Sequence, residues 1–110
     1  MQIIIHGEAD DEYRAVPERE RDAMDNAIAK LREFGDQLGH PHSSAIKGST
    51  ALRELRPRAG RSPWRAFYRR AGEVMVIGAF GPEATVDPRG FDRAVQRAEE
   101  RLAARETEGS

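Results

Sequence analysis

Three segments of strand-forming composition follow one another so closely that they constrain the fold of the whole chain. They cover residues 51–56, 63–69 and 73–80, and the short connections between them contain residues 57–60 and residues 71–72. Connections this short join antiparallel neighbours, because a parallel pair needs a crossover of a dozen or more residues. The sequence therefore predicts an antiparallel β-meander in the second half of the chain.

The other segments carry helix and strand signals of their own. Residues 2–6 are a β-branched run typical of a buried strand, and residues 8–14 are acidic and predict a short helix. A longer helix is expected to begin near Pro17 and to end at Gly35, and a last helix begins at Asp87, followed by a proline. Both longer helices have an apolar stripe at helical spacing: Met24, Ala27, Ile28, Leu31 and Phe34 in one, Phe91, Val95, Ala98 and Leu102 in the other.

This order of elements predicts an α+β fold. The expected architecture is a small antiparallel meander, with the N-terminal strand and helix pair on one face and a C-terminal helix. We expect one domain over residues 1–110, a loop at 36–44 and a frayed polar tail at 106–110. Both faces of the meander carry apolar residues, so one face should be covered by helices and the other partly open, with exposed aromatics.

Composition narrows the classes of protein and site. The chain has no cysteine, which excludes a disulfide scaffold, a thiolate metal site and a cysteine nucleophile. No signal peptide and no apolar run of about 20 residues is visible, so we expect a cytoplasmic protein without membrane contact. The P-loop, dinucleotide-binding and zincin motifs are missing. His40 and His42 form the only close histidine pair and lack a third ligand, so neither a metal nor a cofactor is expected.

The charge is strongly polarised along the sequence. Residues 47–70 carry a net charge of +7, whereas residues 1–46 carry −5 and residues 71–110 carry −3. The basic residues of this cluster are Lys47, Arg53, Arg56, Arg58, Arg61, Arg65, Arg69 and Arg70, and the aromatics Trp64, Phe67 and Tyr68 lie among them. Such a surface attracts phosphate, and aromatic rings can stack on bases. The alternative is a solvated face of an arginine-rich protein.

Arginine suits the chemistry of phosphate esters. Its planar guanidinium group has five N–H donors and stays positively charged. Arginines on neighbouring strands can therefore bind a phosphate together and stabilise a phosphoryl-transfer transition state. A ribonuclease that uses the 2′-hydroxyl of its substrate needs such a charge clamp, together with groups that move two protons. Tyr68 or a histidine can be considered for this role, although tyrosine is ordinarily a poor base because its pKa is about 10.

The order of motifs resembles the RelE/HigB superfamily of bacterial toxins, and most closely its phage-derived HigB-like branch. The resemblance rests on the loop between Gly35 and Pro41, the strand Leu52-Arg53-Glu54-Leu55-Arg56, the strand Trp64-Arg65-Ala66-Phe67-Tyr68, the apolar strand ending at Phe80 and an alanine-rich last helix. It implies a compact toxin, made with a neutralising antitoxin, that cleaves messenger RNA on the ribosome.

The resemblance also assigns roles to residues. It implies that Arg56, Arg65 and Tyr68 are catalytic, since they match the arginine and tyrosine positions of the two motif strands. Lys47 lies near a basic position that precedes the first motif strand. Together with the basic cluster, this gives the expected RNA-binding residues Lys47, Arg53, Arg58, Arg61 and Arg69, and the expected partners are an antitoxin and messenger RNA.

One departure from the family pattern leaves the activity open. The family's Lys-Lys pair after Phe80 is replaced by Gly81-Pro82-Glu83. The alternatives are a site rearranged around Arg58, Arg61 and Arg69, a ParE-like toxin that acts on gyrase without cutting RNA, or an inactive basic binding module.

Overall fold

The fold is a mixed sheet with helices on both of its faces. The computed structural model describes residues 1–49 and 51–109, which form β1 (Gln2–Ile5), α1 (Gly7–Ala15), α2 (Glu18–Phe34), β2 (Ser43–Ala45), β3 (Arg53–Leu55), β4 (Trp64–Ala71), β5 (Val74–Pro82) and α3 (Pro88–Gly109). Within these residues the strand order is β1-β5-β4-β3-β2, with β1 parallel to β5 and the other pairs antiparallel. The predicted α+β meander is confirmed, and β1 lies at one edge of the sheet.

Alternation of side chains along β4 divides the core into two layers. Tyr68 packs with Leu55 and with Met24 and Leu31 of the α2 stripe, whereas Phe34 at the end of that helix is 50% exposed. Phe67 points to the opposite face and packs with residues of α3 such as Ala98. Both aromatics are buried, with exposed fractions of 0% for Phe67 and 1% for Tyr68. The expectation of exposed aromatic rings there is therefore wrong for these two residues, because α2 and α3 cover both sides of β4.

The helix ends follow the sequence signals. Gly35 ends α2 with a φ of 54°, a left-handed conformation that favours glycine. Asp87 caps α3, since its Oδ1 accepts the N–H of Gly90 at 3.0 Å. The α3 backbone continues to Gly109, whereas Ser110 lies outside the described residues. The fraying expected for residues 106–110 stays a prediction. No helix in the described part of the chain is long and apolar enough to cross a membrane.

The segment predicted as a loop at 36–44 contains the start of β2. Ser43 pairs with Leu55 of β3, and its hydroxyl lies 2.5 Å from that of Tyr68. The strand is only 3 residues long. A strand this short shows no period-2 pattern, so its formation depends on pairing with β3 rather than on a local signal.

Close packing of α3 explains the glycine that follows Phe80. A Cβ atom on Gly81 would lie 2.5 Å from the Cβ of Ala94 in α3. Any side chain at this position would therefore push the helix off the sheet. With α3 in this place, position 81 cannot carry the lysine that the family pattern expects.

Candidate functional site

The connection between β3 and β4 presents arginines from a tightly folded loop. Residues 57–61, here called the arginine loop, include Arg58 and Ala59, both with a φ of 57°. Residues other than glycine adopt this left-handed conformation at a cost of roughly 1–2 kcal/mol each. The loop therefore depends on contacts elsewhere to hold its shape.

Arg65 supplies those contacts. Its side chain is 2% exposed, and its guanidinium donates hydrogen bonds to the carbonyl oxygens of Gly60 at 3.2 Å, Ser62 at 2.6 Å and Trp64 at 3.0 Å. Burial lowers the pKa of Arg65, and the charge of Glu54 acts against that change. Arg65 thus fastens the arginine loop to β4, and its donors are directed at the protein rather than at solvent.

Two carboxylates balance the charge around Arg65. Glu54 lies 3.7 Å from Arg65 and 2.7 Å from Arg56, and Glu83 lies 3.7 Å from Arg65 on the other side. Arg56 also donates from Nε to the carbonyl of Pro41 at 3.0 Å. Two cations and two acids meet at this end of the sheet, and Glu83 stands in the region where the family pattern has lysines.

A groove beside this network has an excess of positive charge. It lies between α2 and the arginine loop and has a volume of about 420 Å³. We call it the cationic groove; its lining is Asp22, Ala23, Asn26, Ala27, Lys30, His42, Leu55, Arg56, Arg58 and Arg61. Asp22, Asn26 and Lys30 recur every four residues, which places them on one face of α2. Among the described lining residues, four cations face one carboxylate.

The loop arginines are tethered but remain accessible. Arg58 donates to the carbonyl of Arg19 at 3.3 Å and lies 3.7 Å from the carboxylate of Glu20, while its side chain is 37% exposed. Arg61 is exposed and donates from Nε to the carbonyl of Arg58 at 3.1 Å. These bonds use part of each guanidinium, so the remaining donors can bind a phosphate in the groove.

The structure separates the residues predicted to be catalytic. Arg65 is buried on the α3 side of β4, whereas Tyr68 is buried on the α2 side and is engaged with the Ser43 hydroxyl. Of the three, Arg56 lines the cationic groove. The donors of Arg65 are directed at main-chain carbonyls, and Tyr68 borders a separate hollow beside Arg53 and Arg69, away from the cationic groove.

The residues predicted to bind phosphate divide among several places. Arg58 and Arg61 line the cationic groove. Arg53 donates to Ser43 Oγ at 3.0 Å on the α2 side of the sheet. Arg69 donates to the carbonyl of Leu102 in α3 at 3.0 Å. Lys47 is exposed in a hollow near the start of α3. The structure therefore does not gather all eight predicted residues into one clamp.

The groove lining also contains residues that the sequence did not predict as part of a site. Lys30 and Asn26 come from α2, whose segment of the chain is acidic overall, and His42 comes from the turn before β2. These residues are far in sequence from the arginine loop, so no motif joins them. In the part of the chain that the structure describes, no group of three or more histidine, cysteine or carboxylate side chains is placed to hold a metal ion.

Fold and site together define a small α+β protein with a cationic surface of the kind that binds phosphate. The family described as Phage derived protein Gp49-like (DUF891) matches residues 11–81, well over half of the chain. The protein therefore belongs to the Gp49-like family, and the resemblance to RelE/HigB-type toxins is confirmed. No curated protein sequence matches the chain.

Solved structures give the same fold. A double arginine-to-alanine mutant of the Escherichia coli toxin RelE in the free state is similar, with a TM-score of 0.61 and 16% sequence identity. The match covers 87% of this chain and 95% of that one. A crystal structure of the isolated E. coli RelE toxin matches with a TM-score of 0.59 and 16% identity, covering 84% and 96%. At this identity the likeness establishes the RelE fold.

Proposed function

We propose that the protein is the toxin of a type II toxin–antitoxin system and that it cleaves messenger RNA on the ribosome. Its family and its RelE fold support the toxin role. The single observation that carries the nuclease role is the cationic groove, in which Lys30 and the arginines at positions 56, 58 and 61 line one concave surface. The proposed phosphate-binding site is therefore this groove alone, and not the larger set of basic residues expected from the sequence.

The proposed reaction depends mainly on fixed positive charge close to the phosphate. In cleavage through the substrate's own 2′-hydroxyl, negative charge accumulates on the phosphate oxygens in the transition state, and fixed cations stabilise it. Arg58 and Arg61 supply that charge, while Arg65 and Tyr68 are positioning residues that hold the arginine loop and the neighbouring strands. No cofactor takes part in this scheme.

A cognate antitoxin is the expected protein partner. Electrostatic complementarity favours an acidic segment on a surface with this excess of positive charge. Such a segment would occupy the cationic groove and compete with RNA for the same arginines. Neutralisation of the toxin then follows from occlusion of the groove.

The test is induced expression in a bacterial host, with total RNA examined by primer extension. Wild type is expected to arrest growth and produce new messenger RNA ends. The double variant Arg58→Ala, Arg61→Ala should lose both effects, because it removes two of the groove's cations. The matched control is Arg89→Ala, Arg93→Ala, which removes two exposed arginines of α3 that are not part of the groove lining. If the control loses activity equally, net charge rather than the groove is responsible.

A second candidate function, a binding module without nuclease activity, is favoured by one observation. Glu83 lies 3.7 Å from Arg65 and balances charge where the family pattern has lysines. Normal growth with soluble wild-type protein would support this candidate. Growth arrest with intact RNA and stalled DNA supercoiling would instead indicate a ParE-like action on gyrase.

A further inference from the structure

We propose that His42 is the catalytic residue that transfers the proton during RNA cleavage in the cationic groove. This inference rests on the proposed nuclease function and adds to it the group that the arginines cannot supply, because a guanidinium stays protonated at neutral pH. Imidazole is the side chain that ordinarily exchanges its proton most readily near neutral pH.

The backbone of His42 is held in place on both sides. Its N–H donates to the carbonyl of Gly39 at 2.9 Å, and its carbonyl accepts the N–H of Arg56 at 2.9 Å. The side chain is partly exposed and lines the groove. The residue is therefore anchored through its main chain to Arg56, which directly precedes the arginine loop, and its imidazole lines the groove.

The charged groups around this imidazole come from both walls of the groove. Asp22 and Lys30 lie on α2, and the arginines at positions 56, 58 and 61 lie on the opposite wall. A phosphodiester bound by Arg58 and Arg61 would have its ribose inside the same concave surface as His42. A volume of about 420 Å³ is within the range of small-molecule sites, roughly 300–1,000 Å³, and suits one nucleotide.

The other candidate groups are occupied or elsewhere. Tyr68 is buried against Ser43, and the hydroxyl of Tyr13 is bonded to Asp25 at 2.5 Å, which raises the pKa of Tyr13 further. The Nδ1 atom of His6 accepts the N–H of Glu8 at the start of α1. His40 is exposed and does not contribute to the groove. Among the described residues, His42 is thus the histidine that shares a surface with the loop arginines.

The proposed step is balanced in protons and bonds. His42, neutral at first, removes the proton of the ribose 2′-hydroxyl as that oxygen forms a bond to the adjacent phosphorus. The bond between phosphorus and the 5′-oxygen of the next nucleotide breaks on the opposite side of the phosphorus, and that leaving oxygen takes a proton from solvent, to which the imidazolium later gives up its own. The products are a 2′,3′-cyclic phosphate and a 5′-hydroxyl end, and neither water nor a metal is consumed.

The experiment compares His42→Gln with His40→Gln, a change of the same type in the same loop. Single-turnover cleavage of messenger RNA on programmed ribosomes is measured with purified full-length protein. We expect the rate for His42→Gln to fall about 10²- to 10⁴-fold, the usual contribution of general acid–base catalysis. His40→Gln should cleave like wild type. Binding of a non-cleavable 2′-deoxy analogue should be nearly unchanged in both variants.

The pH profile separates proton transfer from a structural role. The pH dependence of cleavage should differ between wild type and His42→Gln, because only the wild type has a group at position 42 that exchanges a proton. Added imidazole should restore part of the activity of His42→Ala. A full rate in His42→Gln, with Arg58→Ala, Arg61→Ala inactive, would overturn the inference and leave the nuclease intact. No cleavage by wild type would overturn both.

Discussion

Two arginines of the same basic cluster have opposite surroundings. Arg65 is 2% exposed and donates to three carbonyl oxygens, whereas Arg58 is 37% exposed and borders a groove. Buried charges require partners and fix local structure, while accessible ones remain able to bind a ligand. Counting charges along the sequence treats the two as equal, whereas burial decides which of them a ligand can reach.

Loss of Arg65 should therefore destabilise the protein before it affects any binding step. We expect Arg65→Ala to lower the free energy of unfolding by about 3–5 kcal/mol, because it leaves Glu54 and Glu83 without their shared cation and frees the loop carbonyls. Urea denaturation measures this. Arg89→Ala, an exposed change, should stay within about 0.5 kcal/mol of wild type. A stable Arg65→Ala protein that has lost only RNA binding would contradict the structural role.

Helices α1 and α3 meet at the part of β5 that extends beyond β1. Arg101 donates to the carbonyl of Gly78 at 3.0 Å, Arg97 donates to the carbonyl of Phe80 at 3.3 Å, and Glu12 accepts the N–H of Phe80 at 3.1 Å. Arg101 also bonds Glu12 at 2.9 Å, which raises the pKa of Arg101. Side chains from two helices thus satisfy an otherwise open strand edge.

This contact makes stability depend on pH. Burial alone would raise the pKa of Glu12, but hydrogen bonds from Arg101 and Phe80 and the charge of Arg97 outweigh it and lower the pKa below its usual 4.5. A carboxyl whose pKa is lower in the folded state contributes stability that is fully present above the unfolded pKa and is lost as pH falls through the folded pKa.

We expect the free energy of unfolding to decline as pH falls below about 4.5, the ordinary glutamate value, and to decline less in Glu12→Gln. Chemical denaturation at a series of pH values measures both slopes. Asp11→Asn changes an exposed carboxyl of the same helix and should follow the wild-type slope. Parallel profiles for wild type and Glu12→Gln would show that the contact with α3 carries no pH-dependent stability.

The elements that the sequence predicted well have local signals. Gly35 and Asp87 mark helix ends through their own backbone and side-chain chemistry, and the meander follows from its short connections. The burial of Arg65 has no such signal. Alternation along a strand predicts on which face a side chain lies, but it does not predict how deeply that side chain is buried. The groove likewise depends on α2 docking beside the arginine loop, so Lys30 and His42 join the site only through tertiary packing.

For the whole molecule, the distribution of charge over the surface decides where an anionic ligand can bind, and the net charge does not. The chain has a formal net charge of −1, yet residues 47–70 carry +7. Folding distributes those cations over both sides of the sheet and buries Arg65, so the groove keeps only part of them. The proposed RNA binding should therefore depend on few phosphate contacts, fewer than the charge count suggests.

Salt dependence measures that number. The logarithm of the RNA affinity should fall linearly with the logarithm of salt concentration, by about 0.7 per phosphate contact for a single strand. We expect Arg58→Ala, Arg61→Ala to reduce the slope by about 1.4, which corresponds to two contacts. Fluorescence anisotropy with a labelled single-stranded RNA determines both slopes, and Arg89→Ala, Arg93→Ala serves as the charge-matched control. An affinity that is flat with salt would exclude phosphate binding altogether.

The left-handed backbone at Arg58 and Ala59 has a consequence for the thermodynamics of binding. The loop adopts this unfavourable shape during folding, when the hydrogen bonds of Arg65 hold it. The conformational entropy of the loop backbone is therefore already lost before any ligand arrives. A phosphate-bearing ligand of the kind proposed would meet a loop whose backbone needs no further ordering, so its affinity should depend on how well its phosphate spacing fits this preformed loop.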